Sequence, residues 1–176
     1  TYWVVDYLLK CKSFDQVVWC GPHHSLQQPV LDKLRDYYKK VDEESGKEIS
    51  YFAEVDCTDG VNHEELQSHC EHGRASDWQT AVVFDDCMMH AQDKQMLNLF
   101  ISGRHLKCSV FELQQQIFPK GTRAHRLNTT QFVVFKFPAR NEFGTLASQI
   151  CTSKEERKAL VDKFKEITRS EERRVG

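Results

Sequence analysis

The sequence predicts an α/β fold, a layered sheet with helices on both faces, and three observations support this prediction. Apolar segments with the length of strands alternate along the chain with helical segments, an order typical of parallel sheets. The segment TAVVFDD, residues 80–86, is apolar without alternation, which indicates a strand buried on both faces. The 176 residues are 40% hydrophobic, enough for one domain with a core.

In the first half of the chain, helices and strands are predicted in turn. Residues 2–11 are mostly apolar and are predicted to form a buried helix, and residues 14–22 a strand that stops at Gly21-Pro22. Apolar side chains recur at helical spacing over 25–44, which predicts a helix. A strand over 48–55, which alternates, a polar helix over 62–72 and the buried strand over 79–86 follow.

The second half continues the alternation and then becomes strongly charged. The predicted elements are a helix over 91–102, a strand over 107–115, a basic loop or short helix over 117–128, a last strand over 131–138 and a charged helix over 153–174. We expect the core to occupy residues 1–150 and a charged helix or tail to occupy 151–176.

Composition narrows the class of protein. The formal net charge of -2 argues against a wholly basic DNA coat, although a local basic patch is enough to bind nucleic acid. No apolar run approaches the roughly 20 residues that span a bilayer, so we expect no membrane partner. The seven cysteines are odd in number and form no CxxC pair, which favours free thiols inside a cell.

Polar side chains follow three of the predicted strands. Asp85 and Asp86 end the buried strand, Gln114-Gln115-Gln116 end the next, and His23-His24 follow the first. The carboxyl ends of parallel strands form the usual ligand edge of such a sheet. Two interpretations of the acid pair are open: a strand that ends in a surface turn, or a site that holds a cation.

Two carboxylates beside an amide suit a nucleoside triphosphatase. One acid holds Mg²⁺, the second orients or deprotonates the attacking water, and the amide senses the terminal phosphate. The glutamines have an ordinary interpretation as a polar strand end, and His23-His24 as turn residues.

Two basic clusters lie on either side of the glutamine strand. The first contains Arg104 and Lys107, and the second contains Lys120, Arg123 and Arg126. Such runs are commonly solvated loops. They could also contact phosphate, either of a neighbouring subunit's nucleotide or of a DNA backbone.

A zinc site is the weaker alternative for the metal. Cys57, His63, His69, Cys70 and His72 are close in sequence, but their spacing fits no closed zinc finger, and His69 and His72 lie on a polar predicted helix.

The segments AVVFDDCMMH, residues 81–90, and LFISGRHLKCSVFELQQQIFPKGTRAHRLNTTQFVVFKFPARNEFGTLASQI, residues 99–150, resemble a known family. They are similar to the genome-packaging ATPases of large DNA viruses and Maverick/Polinton elements, which belong to the FtsK–HerA branch of P-loop ATPases. The resemblance covers residues 1–150 and is strongest over 81–150. It implies a RecA-like sheet.

The resemblance also implies roles for individual residues. Asp85 matches the acid that holds Mg²⁺, Asp86 the catalytic carboxylate, and Gln115 the sensor glutamine. Thr1 matches the last residue of the phosphate-binding loop, which contacts the nucleotide and Mg²⁺. Asp86 is a departure, because the wider class often has Glu there. Arg104, Arg123 and Arg126 are candidates for a finger that reaches the neighbouring nucleotide.

The family's phosphate-binding loop ends in Gly-Lys-Ser/Thr, so we expect its glycines and lysine, and the strand before them, to precede Thr1 in a longer protein. The 176 residues alone should then be inactive. The strand at 107–115 and the strand at 131–138 should each lack a partner where that leading strand belongs.

By resemblance, the parent protein hydrolyses ATP with Mg²⁺, forms a homo-oligomeric ring and moves double-stranded DNA into a capsid, with capsid or portal components as partners. It would act inside the host cell, in the cytoplasm or nucleus at the site of virus assembly, and could enter the virion. Two alternatives stay open. One is a cellular or plasmid DNA pump of the same branch, and the other is a non-enzymatic DNA- or capsid-binding protein that kept the fold.

Overall fold

The computed structural model describes residues 1–39, 46, 49–87, 93–116, 123–135 and 142–172. The chain divides into two compact units, the first made of Thr1–Gln115 with Pro119–Thr129 and the second of Gln116–Phe118 with Thr130–Gly176. The boundary expected after residue 150 stays a prediction.

The first unit is built on a parallel sheet. Its four strands are β1 (Gln16–Gly21), β2 (Tyr51–Asp56), β3 (Thr80–Asp85) and β4 (Cys108–Leu113). They lie in the order β2-β1-β3-β4, and every neighbouring pair is parallel. The prediction of an α/β fold with a parallel sheet is therefore confirmed. All six residues of β3 are buried, as its unbroken apolar sequence predicts.

The strand order places a switch point between β1 and β3. From β1 the chain crosses to β2 at one edge, and then returns past β1 to reach β3. Gln16 pairs with Thr80 at the start of the two strands and Cys20 with Phe84 near their ends. The carboxyl ends of these strands therefore lie side by side, and in open α/β sheets this is where ligands bind.

One face of the sheet is covered by the first helices. They are α1 (Tyr2–Cys11), the short α2 (His23–Leu26), a 3₁₀ turn (Pro29–Leu31) and α3 (Asp32–Tyr37). Buried apolar side chains of α1, of α3 and of the residues beside it pack on Val17, Trp19, Ala81 and Val83 of the central strands; they are Val4, Val5, Leu8, Leu31, Leu34 and Tyr38.

The other face carries the helices that follow β2 and β3. They are α4 (His63–Ala75) and α5 (Lys94–Ser102), followed by a 3₁₀ turn (Gly103–Leu106). Leu66, Cys70 and Met96 pack there against strand residues that include Val82 and Phe84. Helices on both faces agree with the prediction. A further short helix, α6 (Arg123–Asn128), contacts α5.

The second unit contains two helices, α7 (Glu142–Ile150) and α8 (Lys154–Glu172). The rings of Phe143 and Phe164 stack with their centroids 3.9 Å apart, and Leu146 and Ala147 are buried. The helix predicted over 153–174 is confirmed within the described residues. α7 was not predicted.

Two element predictions are wrong. The described part of the helix predicted over 25–44 is instead divided into α2, the 3₁₀ turn and α3, because Pro29 has no N–H to continue a helix and α3 ends at Tyr37; residues 40–44 lie outside the described residues. The strand over 131–138 is absent in its described part, since residues 131–135 form no strand, and 136–138 lie outside the described residues.

Among the described residues, no strand lies on the outer side of β4, where the leading strand is expected to be missing. The other strand expected to face that gap does not form over 131–135, where Phe132, Val133 and Phe135 are exposed.

Two smaller predictions concern cysteine and membranes. The seven cysteines all lie within the described residues, and none of them is joined to another by a disulfide. Among the described helices, none combines the length and the apolar character that crossing a bilayer needs.

Candidate functional site

The switch point is a close approach between β1 and β3. A side chain at Gly21 would place its Cβ 3.0 Å from the carbonyl oxygen of Asp85 and 3.3 Å from Cβ of Ser25. Glycine therefore lets the end of β1 lie directly against the end of β3. The chain then turns at Pro22 into α2, so His23 and His24 follow at the same edge.

Asp85 is the last residue of β3, and its side chain receives a hydrogen bond from Thr1. Thr1 is the N-cap residue of α1, but its hydroxyl does not cap the helix. The hydroxyl donates instead to Oδ2 of Asp85, at 3.0 Å. Because α1 packs on the face that Val83 and Asp85 share, its N-terminus reaches the carboxyl edge of the sheet.

Burial raises the pKa of the Asp85 carboxyl above its ordinary value. The charge of Asp86 adds to this rise, whereas the hydroxyl of Thr1 opposes it. The Trp19 indole N–H also lowers the pKa, although its nitrogen lies outside strict hydrogen-bond geometry. The ionised carboxylate is thus partly desolvated, which a bound cation would offset.

The donor set of Thr1 and Asp85 fits magnesium. A hydroxyl and a carboxylate are both hard oxygen ligands, and Mg²⁺ is commonly held by one or two protein oxygens with water and phosphate completing the shell. Neighbouring oxygens around an octahedral Mg²⁺ lie about 3 Å apart, because each Mg–O bond is about 2.1 Å long. The 3.0 Å between Thr1 Oγ1 and Asp85 Oδ2 matches this spacing.

Asp86 lies outside the strand and is held from two sides. Its backbone has a φ of 58°, a left-handed conformation that Asp tolerates better than most residues. The Gln115 side chain donates to Oδ1 of Asp86 at 3.4 Å, and Nε2 of His24 lies 3.3 Å from Oδ2. Asp86 is exposed to solvent, whereas Asp85 is buried.

The structure therefore brings together four of the predicted residues, Thr1, Asp85, Asp86 and Gln115. Of the predicted arginines, Arg104 lies apart from these four residues. Arg104 is exposed in the 3₁₀ turn that precedes β4, and the carbonyl of Lys107 in the same segment accepts from the N–H of Thr80, the first residue of β3. Arg104 thus lies at the amino edge of the sheet.

Arg123 and Arg126 lie on α6, which is fastened to the sheet by its histidine. Nδ1 of the buried His125 is 3.1 Å from Oε2 of Glu112 on β4, and its ring stacks on Phe100 at 4.6 Å. Arg123, the first residue of α6, is exposed, whereas Arg126 is half-buried.

The residues of the zinc alternative do not assemble. His63 contacts Asp93 at 2.8 Å, and His72 packs on the Trp78 ring at 5.3 Å. In the parts of the chain that the structure describes, no three of its His, Cys, Asp and Glu side chains form a group able to hold a metal ion.

Sequence reasoning missed two side chains of the site. His24 was assigned to a turn, although its place directly after a strand end was the available signal. Trp19 gave no signal, since an apolar residue within a strand predicts only core packing. Its position two residues before the strand end, on the face of Asp85, follows from the register of β1 and β3.

Comparisons of the chain with known protein families, with curated proteins and with solved structures find no match.

Proposed function

We propose that this chain is the part of a magnesium-dependent ATPase of the FtsK–HerA branch that follows its phosphate-binding loop. The observation that carries the proposal is the hydroxyl of Thr1, which begins a helix and lies 3.0 Å from the buried carboxylate at the end of β3. In P-loop ATPases a Ser or Thr at the start of the helix and an acid at a strand end hold the same Mg²⁺.

Thr1 and Asp85 would hold Mg²⁺ between the sheet and the nucleotide. The N-terminus of α1 directs backbone N–H groups and the positive end of its dipole to the same place, which favours phosphate. When bound, the ion would neutralise negative charge on the phosphates.

Asp86 and Gln115 would act on the attacking water. Asp86 follows the last residue of β3 and is exposed at the site, so water can reach its carboxylate and transfer a proton to it. The amide of Gln115 is within reach of the same carboxylate, and it would respond to the γ-phosphate by exchanging this contact for one to the phosphate or the water.

The use of the energy is proposed from the resemblance. The resemblance to packaging ATPases favours a homo-oligomeric ring that moves double-stranded DNA into a capsid, with capsid or portal components as partners. A cellular or plasmid DNA pump would use the same site, and the two differ in their partners rather than in these residues.

The test compares two neighbouring substitutions in a chain extended upstream through the phosphate-binding loop. Asp85→Asn should weaken Mg²⁺-dependent ATP binding. Asp86→Asn should bind ATP normally and slow hydrolysis by ~10²-fold or more, as expected for a general base. Equilibrium binding of a fluorescent ATP analogue and steady-state phosphate release measure the two effects.

Normal turnover in both variants would exclude this site. If the extended chain binds no nucleotide at all, the alternative of a non-enzymatic DNA- or capsid-binding protein takes the place of the ATPase.

A further inference from the structure

His24 is the one imidazole that the structure directs at the proposed catalytic carboxylate, within the described residues. Its Nε2 is 3.3 Å from Oδ2 of Asp86, while Gln115 approaches the other carboxylate oxygen at 3.4 Å. The carboxylate is therefore held between an imidazole and an amide. We propose that His24 is a positioning residue: it orients the Asp86 carboxylate so that this group can accept a proton from the attacking water. This role rests on the proposed ATPase function.

Asp86 gains from such a partner because its side chain lies at the surface, beyond the end of β3. The side chain is 39% exposed, and its residue follows the strand in a left-handed conformation. An Asp is also one methylene shorter than the Glu that is common at this place in the wider class. A shorter acid must point in the correct direction to reach the water, so the orientation set by His24 matters more.

His24 is itself placed by bonds from the end of β2. The backbone N–H of His23 donates to Oγ1 of Thr58 at 3.0 Å. The Thr58 hydroxyl and backbone N–H in turn donate to Oδ1 of Asp56, at 2.6 and 2.8 Å. These bonds fasten the start of α2 to the sheet, and they also keep the pKa of the Asp56 carboxyl below its usual value.

The adjacent histidine shows that the contact is specific to one side chain. His23 is exposed to a similar degree, at 69% against 72% for His24. Its Nε2 lies 2.8 Å from Nε2 of Gln27 and its Nδ1 3.6 Å from Oδ2 of Asp56, so it faces β2 and not Asp86. His23 is thus a matched control in composition, exposure and backbone position.

A purely structural role would predict an effect on folding, and the exposure of the pair argues against one. Ion pairs between exposed side chains contribute little to stability. The inference therefore predicts a change in turnover with little change in unfolding temperature or in nucleotide affinity, because Thr1 and Asp85 are left intact.

The experiment measures steady-state ATP hydrolysis by the extended chain and by three variants, His24→Ala, His24→Gln and His23→Ala, with Asp86→Asn as reference. We expect His24→Ala to lower kcat by about tenfold, the size typical of a lost supporting contact, with KM for ATP within about twofold. His24→Gln should recover most of the loss, since its amide N–H can donate from near the Nε2 position. His23→Ala should match the wild type.

The outcomes separate the two proposals. If Asp86→Asn loses turnover but His24→Ala and His23→Ala both keep it, the role of His24 is overturned and the ATPase proposal stands. Equal losses of turnover in His24→Ala and His23→Ala would also overturn the role of His24, because they would indicate a structural effect on α2. The same holds if His24→Ala lowers both turnover and the unfolding temperature and His24→Gln does not reverse the change. If the wild type hydrolyses no ATP, both proposals fall.

Discussion

At the residue scale, the site contains a buried carboxylate that the fold alone does not neutralise. Asp85 is 6% exposed, and among the described residues no lysine or arginine side chain is paired with it. Burial without a full counter-charge costs free energy, and such costs are typical of positions kept for function. The hydroxyl of Thr1 and the indole of Trp19 reduce the cost but leave the pKa raised.

Asp85→Asn should therefore stabilise the protein in the absence of magnesium and nucleotide. A raised pKa means that the folded state binds the proton more tightly than the unfolded state does. The stabilisation that this group gives to the folded state is therefore full below the unfolded pKa of about 3.9, and it is lost as the pH rises through the folded pKa. At pH 7 the neutral amide avoids that loss, and we expect a gain of about 1 kcal/mol in the free energy of unfolding.

Chemical denaturation at pH 7 and at pH 3.5 measures this effect. The difference between wild type and Asp85→Asn should be largest at pH 7 and should shrink as the pH falls to 3.5, because protonation removes the charge of the wild-type carboxyl. Added MgCl₂ with ATP should stabilise only the wild type. A variant that is less stable than the wild type at pH 7 would show that ionised Asp85 holds the fold together, contrary to its assignment.

At the element scale, α4 is fitted to the sheet through a glycine. A Cβ on Gly73 would overlap Oε1 of Gln16 and lie 2.5 Å from Oγ1 of Thr80. Both are fully buried and bonded to each other at 3.0 Å, and Gln16 also donates to the carbonyl of His69 at 3.1 Å. The glycine thus allows a polar contact to be satisfied beneath the helix.

Gly73→Ala should lower the free energy of unfolding by about 2 kcal/mol, because Gln16 cannot move without leaving buried polar groups unpaired. The same change at Gly144 on α7 is the control, since no described atom lies within 4 Å of its Cβ position. Gly144→Ala should instead stabilise by up to about 1 kcal/mol through helix propensity. Thermal unfolding followed by circular dichroism compares them, and equal effects of the two changes would contradict the packing described here.

The elements that the sequence predicts best are those whose apolar pattern matches a local rule. β1 and β3 are continuous apolar segments, and α1 and α8 agree closely with the segments predicted for them. The strand predicted over 131–138 has the same apolar composition, yet 131–135 form no strand, because a strand also needs a neighbour that sequence does not reveal. α7 was missed although the apolar residues of its EFGTLASQI sequence recur at helical spacing, at Phe143, Leu146, Ala147 and Ile150.

The residues of the candidate site also differ in how far the sequence predicts them. Asp85, Asp86 and Gln115 could be predicted to meet because parallel strands bring their carboxyl ends to one edge. His24 could not be separated from His23 by sequence, since the direction of each imidazole depends on how α2 is fastened to Thr58.

At the scale of the whole molecule, the arginine candidates differ in what they can reach. A finger acts in a neighbouring subunit, so its guanidinium has to be exposed on a firmly held element. Arg123 meets both conditions, because it begins α6, which the contact of His125 with Glu112 fastens to β4. Arg126 is half-buried, and Arg104 lies at the amino edge of the sheet.

We predict that Arg123 acts in trans in the proposed ring. Arg123→Ala should lower ATP turnover by ~10³-fold or more in the extended chain, as loss of an arginine finger does. Mixing it with Asp85→Asn should restore activity, because an Asp85→Asn subunit can supply its arginine to the intact site of an Arg123→Ala neighbour. Random equal mixing gives about one such interface in four, so phosphate release should approach a quarter of the wild-type rate.

Arg104→Ala and Arg126→Ala serve as controls for surface charge and for α6 packing. Full activity in all three variants would mean that the finger lies elsewhere, and a loss in Arg123→Ala that mixing cannot rescue would place Arg123 in its own subunit's site.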